Sequence, residues 1–142
     1  MKTRVITVVL TISLALAAGT AHASRRAVPL IEPARVELAT GANENPEVVK
    51  DAIIAGGAAR GWVAVSSDPG KLRLKYDKQG GKHEVVVDVT YDAKGYQLKY
   101  VSSFNMKYEN GANGPMIHPF YNKWIDNLIQ SIAKTPIKIP AQ

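Results

Sequence analysis

The chain has 142 residues, with 18 Lys and Arg against 12 Asp and Glu, so its formal net charge is +6. A chain of this length, 46% hydrophobic, can bury one modest core and is too short for two domains. The absence of cysteine excludes disulfides, thiol chemistry, cysteine-ligated metals and a lipid-modified cysteine.

Residues 1–23 have the pattern of a secretory signal peptide. Two basic residues are followed by an apolar run over residues 5–18 and by Ala21-His22-Ala23, whose small residues suit signal peptidase. We expect cleavage before Ser24 and an exported chain, periplasmic or secreted, with a net charge of +4 because the removed segment carries two basic residues and no acidic ones. Retention as a membrane anchor is the weaker alternative, since the run is too short for a span.

The rest of the chain divides into three parts. Residues 24–44 predict an extended arm whose apolar residues can lie against the domain as a short edge strand. Residues 45–135 predict a single domain, and residues 136–142 a C-terminal tail.

A first helix is predicted over residues 46–60. Asn45 is a typical N-cap, Pro46 suits the first helical position, and Gly61 ends the helix. Gly56-Gly57 weakens a helix by about 1 kcal/mol per glycine relative to alanine. We interpret this pair as a site of close packing against a sheet, rather than as a phosphate-binding loop.

Strands with alternating apolar residues are predicted at about 62–67, 71–78, 83–91 and 96–102. Turn sequences separate them, which is typical of an antiparallel meander. A tight turn centred on Ala93-Lys94 predicts three cross-strand pairs: Val89 with Leu98, Val87 with Tyr100, and Asp88 with Lys99.

A last helix begins at Pro119 and ends before Pro136, with Tyr121, Trp124 and further apolar residues at helical spacing. We favour core packing for this aromatic stripe over a stacking platform. The predicted fold class is therefore α+β. It is a two-layer sandwich in which a four-stranded antiparallel meander carries an N-terminal and a C-terminal helix on one face.

Lys71, Arg73 and Lys75 share the outer face of the second predicted strand. They form either an ordinary solvated face, neutralised by Glu84 and Asp88, or an anionic-ligand surface for phosphates or acidic sugars. Nucleic acid is not expected as a partner, because no aromatic residues interleave with these basic ones.

Phe104, Met106 and Tyr108 continue the alternation of the fourth strand beyond its neighbours. They are either covered by the arm or last helix, or exposed as a partner-binding surface. The following loop, residues 109–117, is rich in glycine and asparagine and is expected to be mobile.

Catalytic chemistry is poorly represented. Neither His83 nor His118 has the spacing of a metal site, and the chain has no nucleophile elbow or phosphate loop, so no cofactor or metal is expected. His118 fixes the start of the last helix or, as the alternative, acts as an acid–base residue.

A resemblance rests on Arg60-Gly61-Trp62, Asp68-Pro69-Gly70, Tyr91-Asp92 and the segment 117–124 followed by Leu128. In these features the chain resembles a group of small exported bacterial proteins of unknown function, many of them lipoproteins. The resemblance implies a helix, meander and helix, and a cell-envelope location, with no established activity. The chain lacks the cleavage-site cysteine of the lipoprotein members, so membrane tethering is not implied.

Two hypotheses follow. The favoured one is a non-enzymatic periplasmic binding or accessory protein that contacts an envelope protein, a peptide or an anionic glycan, with no membrane span in the mature chain. The alternative is a small periplasmic hydrolase-like enzyme that uses His118.

Overall fold

The computed structural model describes residues 26–40 and 45–138. The predicted signal peptide, the end of the predicted arm and the last residues of the tail lie outside the described residues. Within the described ranges, no helix has both the length and the apolar character needed to cross a membrane.

The described residues form two helices, α1 (Pro46–Ala58) and α2 (Phe120–Ala133). Their strands are β1 (Val28–Pro29), β2 (Val36–Glu37), β3 (Trp62–Asp68), β4 (Lys71–Lys78), β5 (His83–Tyr91), β6 (Gly95–Phe104), β7 (Glu109–Gly111) and β8 (Gly114–Ile117). Both sheets are antiparallel. The larger has the strand order β2-β6-β5-β4-β3, and the smaller has the order β1-β8-β7.

The predicted fold class is wrong. Instead of a four-stranded meander with two helices, the described residues form a mainly β protein with eight strands in sheets of five and three. The additional strands are two to four residues long. Such strands are too short to show an alternating pattern, and tertiary contacts decide whether they pair.

The predicted pairs between the third and fourth long strands are confirmed. Val87 lies opposite Tyr100, Asp88 opposite Lys99, and Val89 opposite Leu98. The inner residues of the long strands are buried with apolar residues of both helices, which places the main core between the five-stranded sheet and the helix pair.

The capping prediction for α1 is confirmed, because the Asn45 side chain accepts a hydrogen bond of 3.0 Å from the Glu47 N–H. The sequence predicted that Gly56 packs closely against the sheet, and for this residue that prediction is wrong. A β-carbon on Gly56 would lie 2.6 Å from the Cα of Ile132, so this glycine permits close contact between two helices rather than with the sheet. Gly57 does face Trp62 and Leu74 of the sheet, at ordinary contact distances.

The N-terminal arm adds a strand to each sheet. Val28–Pro29 pairs with β8, and Val36–Glu37 pairs with β6. Between these strands the side-chain amide of Asn122 holds the arm against α2: it accepts from the Ile31 N–H at 3.1 Å and donates to the Pro29 carbonyl at 3.0 Å.

Residues 109–117, which we expected to be a mobile loop, instead include the hairpin of β7 and β8. Gly114 has a φ of 115°, which suits glycine and lets the chain reverse after Ala112-Asn113. The preceding strand β6 ends at Phe104, because Asn105 and Lys107 have left-handed backbones with φ of 54° and 51°. The predicted alternation therefore does not continue past Phe104.

Candidate ligand-binding groove

A groove of about 440 Å³ lies between the start of α2 and the adjacent ends of β3, β4 and β5. Its lining residues are Arg60, Trp62, Tyr76, Lys78, Gln79, His83, Phe120, Lys123, Trp124 and Asn127. This volume falls in the lower part of the range typical of small-molecule sites, about 300 to 1,000 Å³.

A continuous run of aromatic rings crosses the groove. Trp62 and Tyr76 are opposite each other in the β3–β4 ladder, with ring centroids 5.2 Å apart. Tyr76 meets Trp124 of α2 edge to face at 4.9 Å, and Trp124 stacks with Phe120 at 5.9 Å. Trp62 is only 3% exposed, whereas the other three rings are half-buried, so they are held in place yet reachable by a ligand.

Gly61 lies against Tyr76, one of the lining residues of the groove. Its φ of 83° suits glycine, and a β-carbon there would lie 3.3 Å from Cε2 of Tyr76. The glycine therefore ends the turn after α1 and allows the Tyr76 ring to approach the backbone. It also places Arg60 and Trp62, its two chain neighbours, in the same groove.

The helix contributes a stripe of four lining residues. Phe120, Lys123, Trp124 and Asn127 follow the i, i+3, i+4, i+7 spacing that brings side chains to one helix face. A neighbouring stripe, comprising Tyr121, Ile125, Leu128 and Ile132, is buried in the core. The helix thus packs one stripe inward and presents the next to the groove.

The charge of the groove is positive. Arg60, Lys78 and Lys123 are exposed, and none of them forms an ion pair with another residue in the described ranges. Among the described residues, no Asp or Glu lines the groove. Uncompensated cations beside apolar rings attract anions, because none of the described lining residues carries a carboxylate.

Further polar side chains complete the lining. The side chains of Gln79 and Asn127 have no hydrogen-bond partner among the described residues, so both amides are available to a ligand. His83 lies 3.0 Å, through Nδ1, from the carbonyl oxygen of Asn105. Since a carbonyl only accepts, Nδ1 carries the proton in this contact.

Searches against protein-family models, curated proteins and solved structures found no match to this chain.

The structure places Lys71, Arg73 and Lys75 on the outer face of β4, away from the groove. Arg73 donates to both carboxylate oxygens of Asp88 at 2.7 and 3.1 Å, and Lys71 Nζ lies 3.2 Å from the same group. Lys75 Nζ is 2.6 Å from the Glu84 carboxylate. The hydrogen bonds from Arg73 and Lys71 lower the pKa of Asp88, so this side chain remains an anion that offsets the two cations.

Phe104, Met106 and Tyr108 do not share one surface. Phe104 is 63% exposed, whereas Met106 is 1% exposed and belongs to the core. Tyr108 is 41% exposed and stacks on Tyr100 with ring centroids 4.7 Å apart. The left-handed residues on either side of Met106 turn it inward and break the apolar alternation.

His118 occupies a structural position at the start of α2. Its imidazole Nδ1 accepts a hydrogen bond of 3.1 Å from the backbone N–H of Phe120. The backbone N–H of His118 donates to the Met106 carbonyl at 2.7 Å. Pro119, at the N-cap, supplies no side-chain hydrogen bond, so the imidazole takes over that capping role. Within the described ranges, no group of three His, Asp or Glu side chains could hold a metal ion.

Our sequence interpretation missed the groove, although part of its signal was visible. The segments Arg60-Gly61-Trp62 and 117–124 supported the resemblance, yet the aromatic stripe of the last helix was assigned to the core as a whole. Marking Phe120, Lys123, Trp124 and Asn127 as a second helical stripe would have separated the groove face from the core face. The contribution of Tyr76 and Lys78 has no local signal, because it depends on how the sheet meets α2.

Proposed function

We propose that this protein is an exported, non-enzymatic binding protein of the cell envelope that holds an anionic ligand in the groove. The observation that carries the proposal is the set of three exposed cations, Arg60, Lys78 and Lys123, beside the run of aromatic rings, with no carboxylate among the described lining residues.

A comparison with the outer face of β4 supports this choice of site. There, Lys71, Arg73 and Lys75 each lie within 3.2 Å of a carboxylate oxygen, so an added anion competes with an internal partner. Among the described residues that line the groove, no carboxylate competes with an added anion. The guanidinium of Arg60 suits paired oxygens of a carboxylate or phosphate, and the two lysines add mobile point charges.

The proposed location rests on a different part of the chain. The basic start, the apolar run and the small residues of segment 1–23 match a signal peptide. The resemblance to small exported bacterial proteins points to the same compartment.

Calorimetric titration of the purified protein tests the groove. The probes are trigalacturonate, trehalose 6-phosphate and an end-capped triglutamate peptide, which offer anions on different frameworks. We expect at least one probe to bind, with its Kd raised at least about tenfold in the double variant Arg60→Ala/Lys123→Ala, because each lost charge-assisted contact weakens binding.

The matched control is Lys99→Ala/Lys134→Ala, which removes the same formal charge from two exposed positions outside the groove. This control should retain the affinity of the unmodified protein. Equal losses in both double variants would mean that net charge alone attracts the probes, and absence of binding by every probe would overturn the proposed function.

The export proposal has its own measurement. The intact mass of protein recovered from the periplasm should correspond to a chain that begins at Ser24. Recovery of the full-length chain in the inner membrane would overturn the location.

A further inference from the structure

We infer that the ligand of the groove is an acidic sugar, a short segment of a glycan that carries carboxylate or phosphate groups. This inference rests on the proposed function and adds the chemical class of the ligand. It follows from three features of the lining that anion binding alone does not require.

The first feature is the aromatic run. Binding a small inorganic anion requires cations and N–H donors, whereas the groove presents the half-buried rings of Tyr76, Trp124 and Phe120. A pyranose ring has an apolar face of C–H groups that covers an aromatic ring, and its weakly positive hydrogens meet the negative face of the π system. The rings therefore match a ligand with flat apolar faces as well as charge.

The second feature is the pair of unpartnered amides. Gln79 at the β4–β5 turn and Asn127 on α2 both line the groove, and neither side chain bonds to another described residue. Each amide offers donors and an acceptor, which suits hydroxyl groups, because a hydroxyl both donates and accepts. A sugar carries many such groups around its edge, whereas a glutamate side chain carries none.

The third feature is the arrangement along α2. Lys123 and Asn127 are four residues apart and belong to the same helical stripe as Trp124. A cation, an aromatic ring and an amide thus occur together on one rigid helix, and Arg60 and Tyr76 from the preceding elements line the same groove. The groove can contact the charged group, the apolar face and the hydroxyl edge of one sugar unit at the same time.

The groove volume limits the length of the bound segment. At about 440 Å³ it suits a short part of a glycan rather than a long polymer bound along its whole length.

A calorimetric comparison tests the sugar requirement. Trigalacturonate and the end-capped triglutamate peptide carry the same charge, and maltotriose supplies sugar rings without charge. We expect trigalacturonate or trehalose 6-phosphate to bind at least about tenfold more tightly than triglutamate, and maltotriose to bind more weakly than the acidic sugars.

Variants separate the ring contribution from the charge contribution. Trp124→Leu keeps an apolar side chain at this half-buried position and removes the flat ring, while Asn127→Ala removes the amide. Both should weaken binding of the acidic sugar more than binding of triglutamate, and so reduce the preference for acidic sugar over triglutamate. Phe104→Leu is the control, because it removes an exposed ring outside the groove.

The outcomes distinguish this inference from the proposed function. If triglutamate binds as tightly as the acidic sugars and depends on Arg60 and Lys123, the groove is an anion site and the sugar inference is wrong. If neither Trp124→Leu nor Asn127→Ala changes the preference, the inference is also wrong. If no anionic probe binds at all, the proposed function itself fails.

Discussion

Gly56 of α1 and Ile132 of α2 are in contact through their backbones. A β-carbon on Gly56 would lie 2.6 Å from Ile132 Cα and 2.8 Å from Ile132 N, closer than side-chain and backbone atoms approach in folded proteins. The Ser131 hydroxyl reinforces the contact by donating to the Gly56 carbonyl at 2.7 Å. The helix pair can therefore close over the sheet only while residue 56 lacks a side chain.

The first prediction concerns this contact. Gly56→Ala should destabilise the protein by about 1 to 3 kcal/mol, because the added β-carbon forces the helices apart. The cost of separating the helices exceeds the gain of about 1 kcal/mol in helix propensity. Gly57→Ala is the matched control, because its β-carbon would meet side chains at 3.4 Å or more. Urea unfolding measures both, and equal stability of Gly56→Ala and the unmodified protein would contradict the contact.

The second prediction separates Phe104 from Met106. Phe104→Ser should change the free energy of unfolding by no more than about 0.5 kcal/mol, because the ring is 63% exposed. Met106→Ala should cost about 2 to 5 kcal/mol, because its side chain is 1% exposed and leaves a cavity. Thermal or urea unfolding measures both variants. A larger loss of stability in Phe104→Ser than in Met106→Ala would contradict the placement of Phe104 at the surface and Met106 in the core.

The third prediction concerns acid pH. The pKa of Asp88 is lowered by its hydrogen bonds to Arg73 and Lys71, so the folded protein favours the carboxylate. A lowered folded pKa contributes stability that is present above the unfolded value, about 3.9 for aspartate, and is lost as pH falls through the folded value.

Asp88→Asn should therefore lower stability at neutral pH and make the loss of stability toward acid pH less steep. Urea midpoints measured from pH 7 down to pH 2 test this, with Asp126→Asn as the control at an exposed position without an ion pair to another described residue. Parallel pH profiles for the unmodified protein and Asp88→Asn would count against the ion pair.

The fourth prediction concerns the N-terminal arm. Asn122→Ala removes both hydrogen bonds that hold the arm to α2, each contributing about 0.5 to 1.5 kcal/mol. Amide hydrogen exchange at residues 28–31 should become faster, while exchange in β4 and β5 should not change. Gln130→Ala, at an exposed position of the same helix, is the control and should leave exchange in the arm slow. Exchange in the arm that stays slow in Asn122→Ala would show that the Asn122 side chain does not hold the arm.

The sequence by itself determined the long strands, the cap of α1 and the β5–β6 register. These features are local: strand residues alternate between two faces, and a shift of one residue would expose every buried valine of β5. The Asn45 cap likewise depends only on its neighbours in the chain. Pattern alone was sufficient where each residue is constrained by residues beside it.

Only the tertiary structure decided the two-sheet architecture and the groove. The two-residue strands Val28–Pro29 and Val36–Glu37 exist because partners far along the chain satisfy their backbone groups. The groove likewise joins Arg60, Tyr76 and Lys123, which different elements supply. Their proximity is set by how the helices pack on the sheet, and that packing is determined by the shape and volume of all the buried side chains together.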